Sequence, residues 1–142
     1  MKKLIISALL LCCICYVAAA QIPSIKAPGI GSALSSLGNG LNPGALNSSF
    51  KMADWASSAS KLGSTDASGA ASLLGKLGKG LNTSSLMQGF SLSDWSSRVK
   101  SASTIASVAT QAQSLIKNIK PDAFKSGFDP GTVTSALALL QK

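Results

Sequence analysis

Residues 31–60, GSALSSLGNGLNPGALNSSFKMADWASSAS, align without a gap on residues 71–100, ASLLGKLGKGLNTSSLMQGFSLSDWSSRVK. Twelve of the thirty positions are identical. A chain this rich in Ser, Ala, Gly and Leu matches itself at about three of thirty by chance, so the spacing predicts a duplicated supersecondary unit of about forty residues. Both tryptophans of the chain, Trp55 and Trp95, stand at the same place in it, as do Leu46 and Leu86, Phe50 and Phe90, and Gly40 and Gly80. A third, degraded copy follows: LNPGALNSSF at 41–50 matches IKPDAFKSGF at 119–128, with Phe124 and Phe128 in the Leu46 and Phe50 positions. There the Gly40 position becomes Asn118, the next-best residue after Gly for a left-handed helix end. Gly40, Gly80 and Asn118 are therefore expected to be helix stops.

Within the unit, leucines at helical spacing (Leu34 and Leu37; Leu73, Leu74 and Leu77) run up to a Gly-x-Gly. Asn42-Pro43 and Asn82-Thr83 then restart the chain, Asn as a candidate cap and Pro suited to a first helical position. A short helix should follow, presenting Leu46 and Phe50, or Leu86 and Phe90, on one face. Asp54-Trp55 and Asp94-Trp95 should open longer helices, the clearest from Trp95 to Ile119. In the first copy Gly63-Ser64-Thr65 interrupts this helix, and Thr65-Asp66 starts another ending near Gly78. Asp129-Pro130 begins the last helix, with Val133, Leu137 and Leu140 on its buried stripe.

No stretch alternates with strand periodicity. The expected fold is all-α: a small helical bundle built from two repeats of about forty residues plus a degraded third copy, with no sheet. The units lie at about 31–70, 71–110 and 111–142, within one domain at 32–142 behind a flexible arm at 21–31. Leu46, Phe50, Trp55, Leu86, Phe90, Trp95, Phe124 and Phe128 are expected to form its repeated core.

The first twenty residues resemble an export signal. Lys2 and Lys3 precede an apolar run from Leu4 to Tyr16, and Val17-Ala18-Ala19-Ala20 fits a small-residue cleavage site before Gln21. An uncleaved anchor is the competing reading, disfavoured by the Ala-x-Ala end. Cys12, Cys13 and Cys15 lie too early, and in the wrong context, for a lipoprotein signal. Cleavage would leave Gln21–Lys142 with no Cys, His, Tyr or Glu, exported without a disulfide and dependent on its core. The short Lys-Lys-led signal suits a bacterial envelope, periplasmic or secreted, and no later segment reaches transmembrane length.

Thirteen basic residues face five acidic ones, a net charge of +8 that falls to +6 without Lys2 and Lys3. The basic residues are scattered, which fits a solvated surface and at most weak, salt-sensitive contact with anionic surfaces. Specific nucleic-acid binding is not expected, since only Trp95–Lys100 places Arg and Lys beside an aromatic residue. After cleavage, zinc, haem, iron–sulfur and His-dependent nucleophile sites lack their ligands, so no metal, cofactor or catalytic residue is expected in Gln21–Lys142. The five Asp residues read as helix caps. Ser-x-x-Lys occurs at Ser58–Lys61, Ser97–Lys100 and Ser114–Lys117, about as often as chance provides and without the companion motifs of a Ser–Lys hydrolase. Asn47 and Asn82 head glycosylation sequons but also have local structural roles available.

Taken together, these features lead us to expect an exported, non-enzymatic helical protein. It would act as a binding or structural module through a protein partner or self-association. The alternative is a cationic, membrane-active amphipathic protein.

Overall fold

Asp66, Ser91, Thr104 and Asp129 each offer a side-chain oxygen to a backbone amide two or three residues ahead, at 3.0, 3.4, 3.2 and 2.8 Å. A helix starts after each, because these oxygens satisfy amides that the first turn leaves without a partner. The computed structural model describes residues 29–62 and 66–142. Its α-helices are α1 (Ile30–Gly40), α2 (Met52–Ser60), α3 (Ala67–Gly80), α4 (Thr83–Leu86), α5 (Leu92–Lys100), α6 (Ile105–Asn118) and α7 (Pro130–Ala138). Single 3₁₀ turns lie at Pro43–Ala45, Pro121–Ala123 and Leu139–Gln141. The described residues contain no strand, so the fold is all-α.

The helices are arranged in three pairs, α1 with α2, α3 with α5, and α6 with α7. The first members, α1, α3 and α6, touch one another. Each second member also leans on the first helix of the following pair: α2 on α3, α5 on α6, and α7 back on α1. Among the described residues the buried side chains are all apolar, with Leu34, Leu37, Leu74, Leu77 and Leu115 fully enclosed. At about 1.5–3 kcal/mol for each buried aliphatic side chain, this interior is the main source of stability of the described residues, which include no Cys.

Backbone hydrogen bonds tie the pairs together where the chain leaves each first helix. Asn47 N–H donates to the Gly80 carbonyl (2.8 Å) and Asn82 N–H to that of Ala45 (2.9 Å). At the closing junction, Lys125 N–H donates to Gly40 (2.7 Å) and Asn42 N–H to Ala123 (2.8 Å). Between the second and third pairs, Gln88 N–H donates to Asn118 (3.3 Å) and Lys120 N–H to Leu86 (2.9 Å). Each junction holds one isolated antiparallel bridge: Leu46–Leu81, Met87–Ile119 and Leu41–Phe124. The middle junction is displaced by one residue. There α4 is an α-turn, with Met87 N–H bonded to the Thr83 carbonyl, whereas Pro43 and Pro121 head tighter 3₁₀ turns.

Several sequence expectations need correction. The helix expected from Trp95 to Ile119 is two helices, α5 and α6, divided at 101–104, where Thr104 caps α6. Asp54 and Asp94 stand inside the first turns of α2 and α5 rather than capping them. Asp122 lies within a 3₁₀ turn, so only Asp66 and Asp129 of the five are caps. Asn42 and Asn82 make no side-chain cap bond. Instead, Asn42 Nδ2 donates to the carbonyls of Asp122 (2.9 Å) and Phe124 (3.0 Å), fastening the first pair to the last. Leu46 and Phe50 follow a 3₁₀ turn and do not share a helix.

Gly40, Gly80 and Asn118 do end α1, α3 and α6, but none has positive φ, and the chain leaves extended through Leu41, Leu81 and Ile119. Among the described residues only Gly89 and Gly127 take positive φ, each one residue before a phenylalanine. The unit borders at 70/71 and 110/111 fall inside α3 and α6, because a repeat fixes a period while caps fix where helices begin. Ile30 and Gly31, assigned to the arm, are buried in α1. The segment at 1–20, the rest of the arm and Gly63-Ser64-Thr65 lie outside the described residues.

Candidate functional site: two grooves beside α3

Small residues keep two faces of α3 low. Ser68, Ala71, Ser72 and Gly75 face α5 across a groove of about 490 Å³, with the buried Val99 and half-buried Ala102 on the opposite wall. A second groove of about 360 Å³ runs between α2 and α3 past Phe50, Asp54, Trp55 and Leu73. Lys76 and Lys79 line both. Lys100 of α5 adds a third ammonium to the first groove, and Lys51 one to the second. Asp54 lines the α2–α3 groove, whereas no carboxylate lines the α3–α5 groove.

Packing of the aromatic residues determines how these walls are held. Trp55 and Trp95 are buried, 4% and 1% exposed, and each lies beside the phenylalanine five residues before it. The ring centroids are 6.3 Å apart for Phe50–Trp55 and 6.5 Å for Phe90–Trp95. Each indole N–H reaches the next pair: Trp55 Nε1 donates to the Leu73 carbonyl on α3, and Trp95 Nε1 to the Gln111 carbonyl on α6, both at 3.1 Å. A buried indole needs such an acceptor, and here the bond also fixes the spacing of adjacent pairs. Leu86 and Phe124 are buried; Leu46, Phe50, Phe90 and Phe128 are half-buried against the core. Phe124 and Phe128 stack with centroids 5.4 Å apart.

The stop residues have a different use from the one expected. A Cβ added to Gly40 would collide with the ring of Phe128, and one added to Gly80 with the ring of Phe50. These glycines provide room for the preceding pair's phenylalanine, not a left-handed turn.

The described residues hold no group of three His, Cys, Asp or Glu able to bind a metal. The three Ser-x-x-Lys serines lie on α2, α5 and α6. Ser58 and Lys61 are exposed. Ser97 Oγ donates back to the Ser93 carbonyl at 3.1 Å. Ser114 belongs to α6, where its carbonyl accepts from Asn118 Nδ2 at 2.7 Å. The sequon residue Asn47 donates from Nδ2 to the Lys79 carbonyl (2.9 Å) and accepts from Ser49 Oγ (2.7 Å), so it is part of a junction. Sequence reasoning missed the α3–α5 groove because Lys100 is remote in sequence from Lys76 and Lys79. Gly75-Lys76 standing where the first copy has Ser35-Ser36 was the available signal.

No helix among the described residues is long and apolar enough to cross a membrane. No protein-family model, curated protein or solved structure matches this chain.

Proposed function

We propose that this chain is an exported, non-catalytic binding module made of three repeated helix pairs, with a partner or ligand held in the grooves beside α3. The observation that carries the reading is the α3–α5 groove: about 490 Å³, three lysines and four serines in its lining, and no carboxylate. That volume falls in the range of ordinary small-ligand sites. The repeat reading rests on helices of matching order and on three junctions joined in the same sense. Export rests on the N-terminal signal-like segment, and the absence of enzymatic activity on missing catalytic chemistry.

The membrane-active alternative requires amphipathic faces free to enter lipid. Against it stand the buried tryptophans and a core that takes up the apolar helix faces. Circular dichroism of Gln21–Lys142, with and without anionic vesicles across a salt series, separates the two. A binding module melts cooperatively in plain buffer, and any vesicle contact is gone by about 0.3 M salt, where scattered surface charges are screened. Helix content that develops only on vesicles, with binding that persists at high salt, would support the alternative.

A further inference from the structure

Positions forty residues earlier and thirty-eight later show what becomes of the α3–α5 groove in the other two pairs. In the first pair, Gly31 replaces Ala71, and α1 lies so close to α2 that an added Cβ would strike the Ala59 carbonyl and lie 3.1 Å from Leu62 Cβ. Ser35 and Ser60 hydroxyls approach to 3.4 Å across the same seam. In the third pair, Gln113 occupies the position of Gly75 and fills the space. Its Nε2 donates to the Thr134 carbonyl (3.2 Å), while Gln141 Nε2 reaches Gln113 Oε1 (3.2 Å) and Thr110 Oγ1 (2.9 Å). Only in the second pair is the space left open: an added Cβ on Gly75 would meet nothing nearer than Val99 Cγ1 at 4.0 Å. The same pair carries Lys76, Lys79 and Lys100, where the first has Ser36, Asn39 and Ser60.

We infer that the α3–α5 groove binds an organic anion bearing a short aliphatic chain, a carboxylate or a phosphate monoester. This rests on the binding-module reading above and names its ligand class. Ala71, Gly75, Val99 and Ala102 provide an apolar floor that excludes water from a hydrocarbon chain. Lys76, Lys79 and Lys100 are exposed and line the groove without any carboxylate among its lining residues, which gives it a positive edge suited to an anion. Charge-assisted hydrogen bonds from ammonium groups are about twice as strong as neutral ones, so the head group is held at the rim while the chain lies along the floor.

The test uses the exported chain Gln21–Lys142, which contains every described residue, with octanoate and octyl phosphate as probes. Inorganic phosphate and octanol serve as charge-only and chain-only controls. Calorimetry should give saturable one-to-one binding of at least one octyl anion, with each control at least about tenfold weaker, and comparing the two octyl anions identifies the head group. Amide shifts should centre on Ala71, Gly75, Ser96 and Ala102 and spare Thr110 and Gln113. Gly75→Gln, copying the third pair, should weaken binding at least about tenfold while melting no earlier than the parent, since it replaces a helical glycine in open space. Lys79→Gln with Lys100→Gln should weaken binding several-fold and flatten its salt dependence.

Four results would overturn the proposal: no saturable binding of either octyl anion, octanol binding as well as both octyl anions, unchanged binding in Gly75→Gln, or shifts spread over all surface lysines. Failure of the binding-module reading itself looks different, because the unliganded parent would then lack a cooperative melt in plain buffer.

Discussion

A Cβ on Gly38 or Gly78 would fall inside the indole of Trp55 or Trp95. In the third pair the corresponding partners are Ile116 and Val133, both buried. The large and small members have traded places while the joint volume is roughly kept, which is how packed cores tolerate change. Gly78→Ile alone should destabilise strongly by overpacking, and Trp95→Val alone by leaving a cavity, the latter by about 3 kcal/mol. The double variant should lose at least about 2 kcal/mol less than the sum of the two, as residues in direct contact allow. Urea denaturation of the four proteins measures it, and additive losses would remove the exchange from the account. The identity of these glycines was legible from the repeat, but their purpose was not. A glycine required for positive φ and one required for an absent Cβ read alike in sequence, and only the position of the neighbouring ring separates them.

At the scale of the helix, capping residues decided what hydrophobic spacing could not. Apolar positions keep helical spacing from Trp95 to Ile119 because Ala102 stays in phase, so the sequence reads as one helix. The chain instead turns after Lys100, with Ser101 N–H bonded to Ser97 and Ala102 N–H to Val99, and restarts at Thr104. Four acceptor side chains start helices here, and only the two that are Asp also carry charge. Asp66→Ala and Asp129→Ala should each cost about 1 kcal/mol, because each removes a cap bond. Asp54→Ala should change stability by no more than about 0.5 kcal/mol, since its exposed carboxylate acts only on the helix dipole. Thermal or urea unfolding of the three variants checks this. An Asp54 variant as damaged as the Asp66 one would mean that caps are not what starts these helices.

For the whole molecule, the forty-residue self-alignment was visible in sequence, but the return of α7 to α1 was not. The period of forty residues predicts neighbours in order, and a chain of helix pairs read that way is an open array whose ends meet solvent. Nothing in the alignment of residues 31–60 on 71–100 says that α7 returns to α1. That closure depends on Phe128 fitting over Gly40 and on Asn42 reaching across to the carbonyls of Asp122 and Phe124. The grooves beside α3 were equally hidden, since a cavity depends on what three separate segments leave unfilled. With the ends joined, the molecule should open as one unit, and no pair should fray before the others.

Native-state hydrogen exchange tests the closure most directly, because the junctions use equivalent amides that can be compared within one sample. Asn42 and Lys125 belong to the closing junction, Asn47 and Asn82 to the first. If the ring is closed, all four amides should exchange only through global unfolding, with the same protection of about 5–15 kcal/mol and the same dependence on denaturant. Asn42 and Lys125 exchanging a hundredfold or more faster than Asn47 and Asn82 would show an open array with loose ends, and would contradict the account.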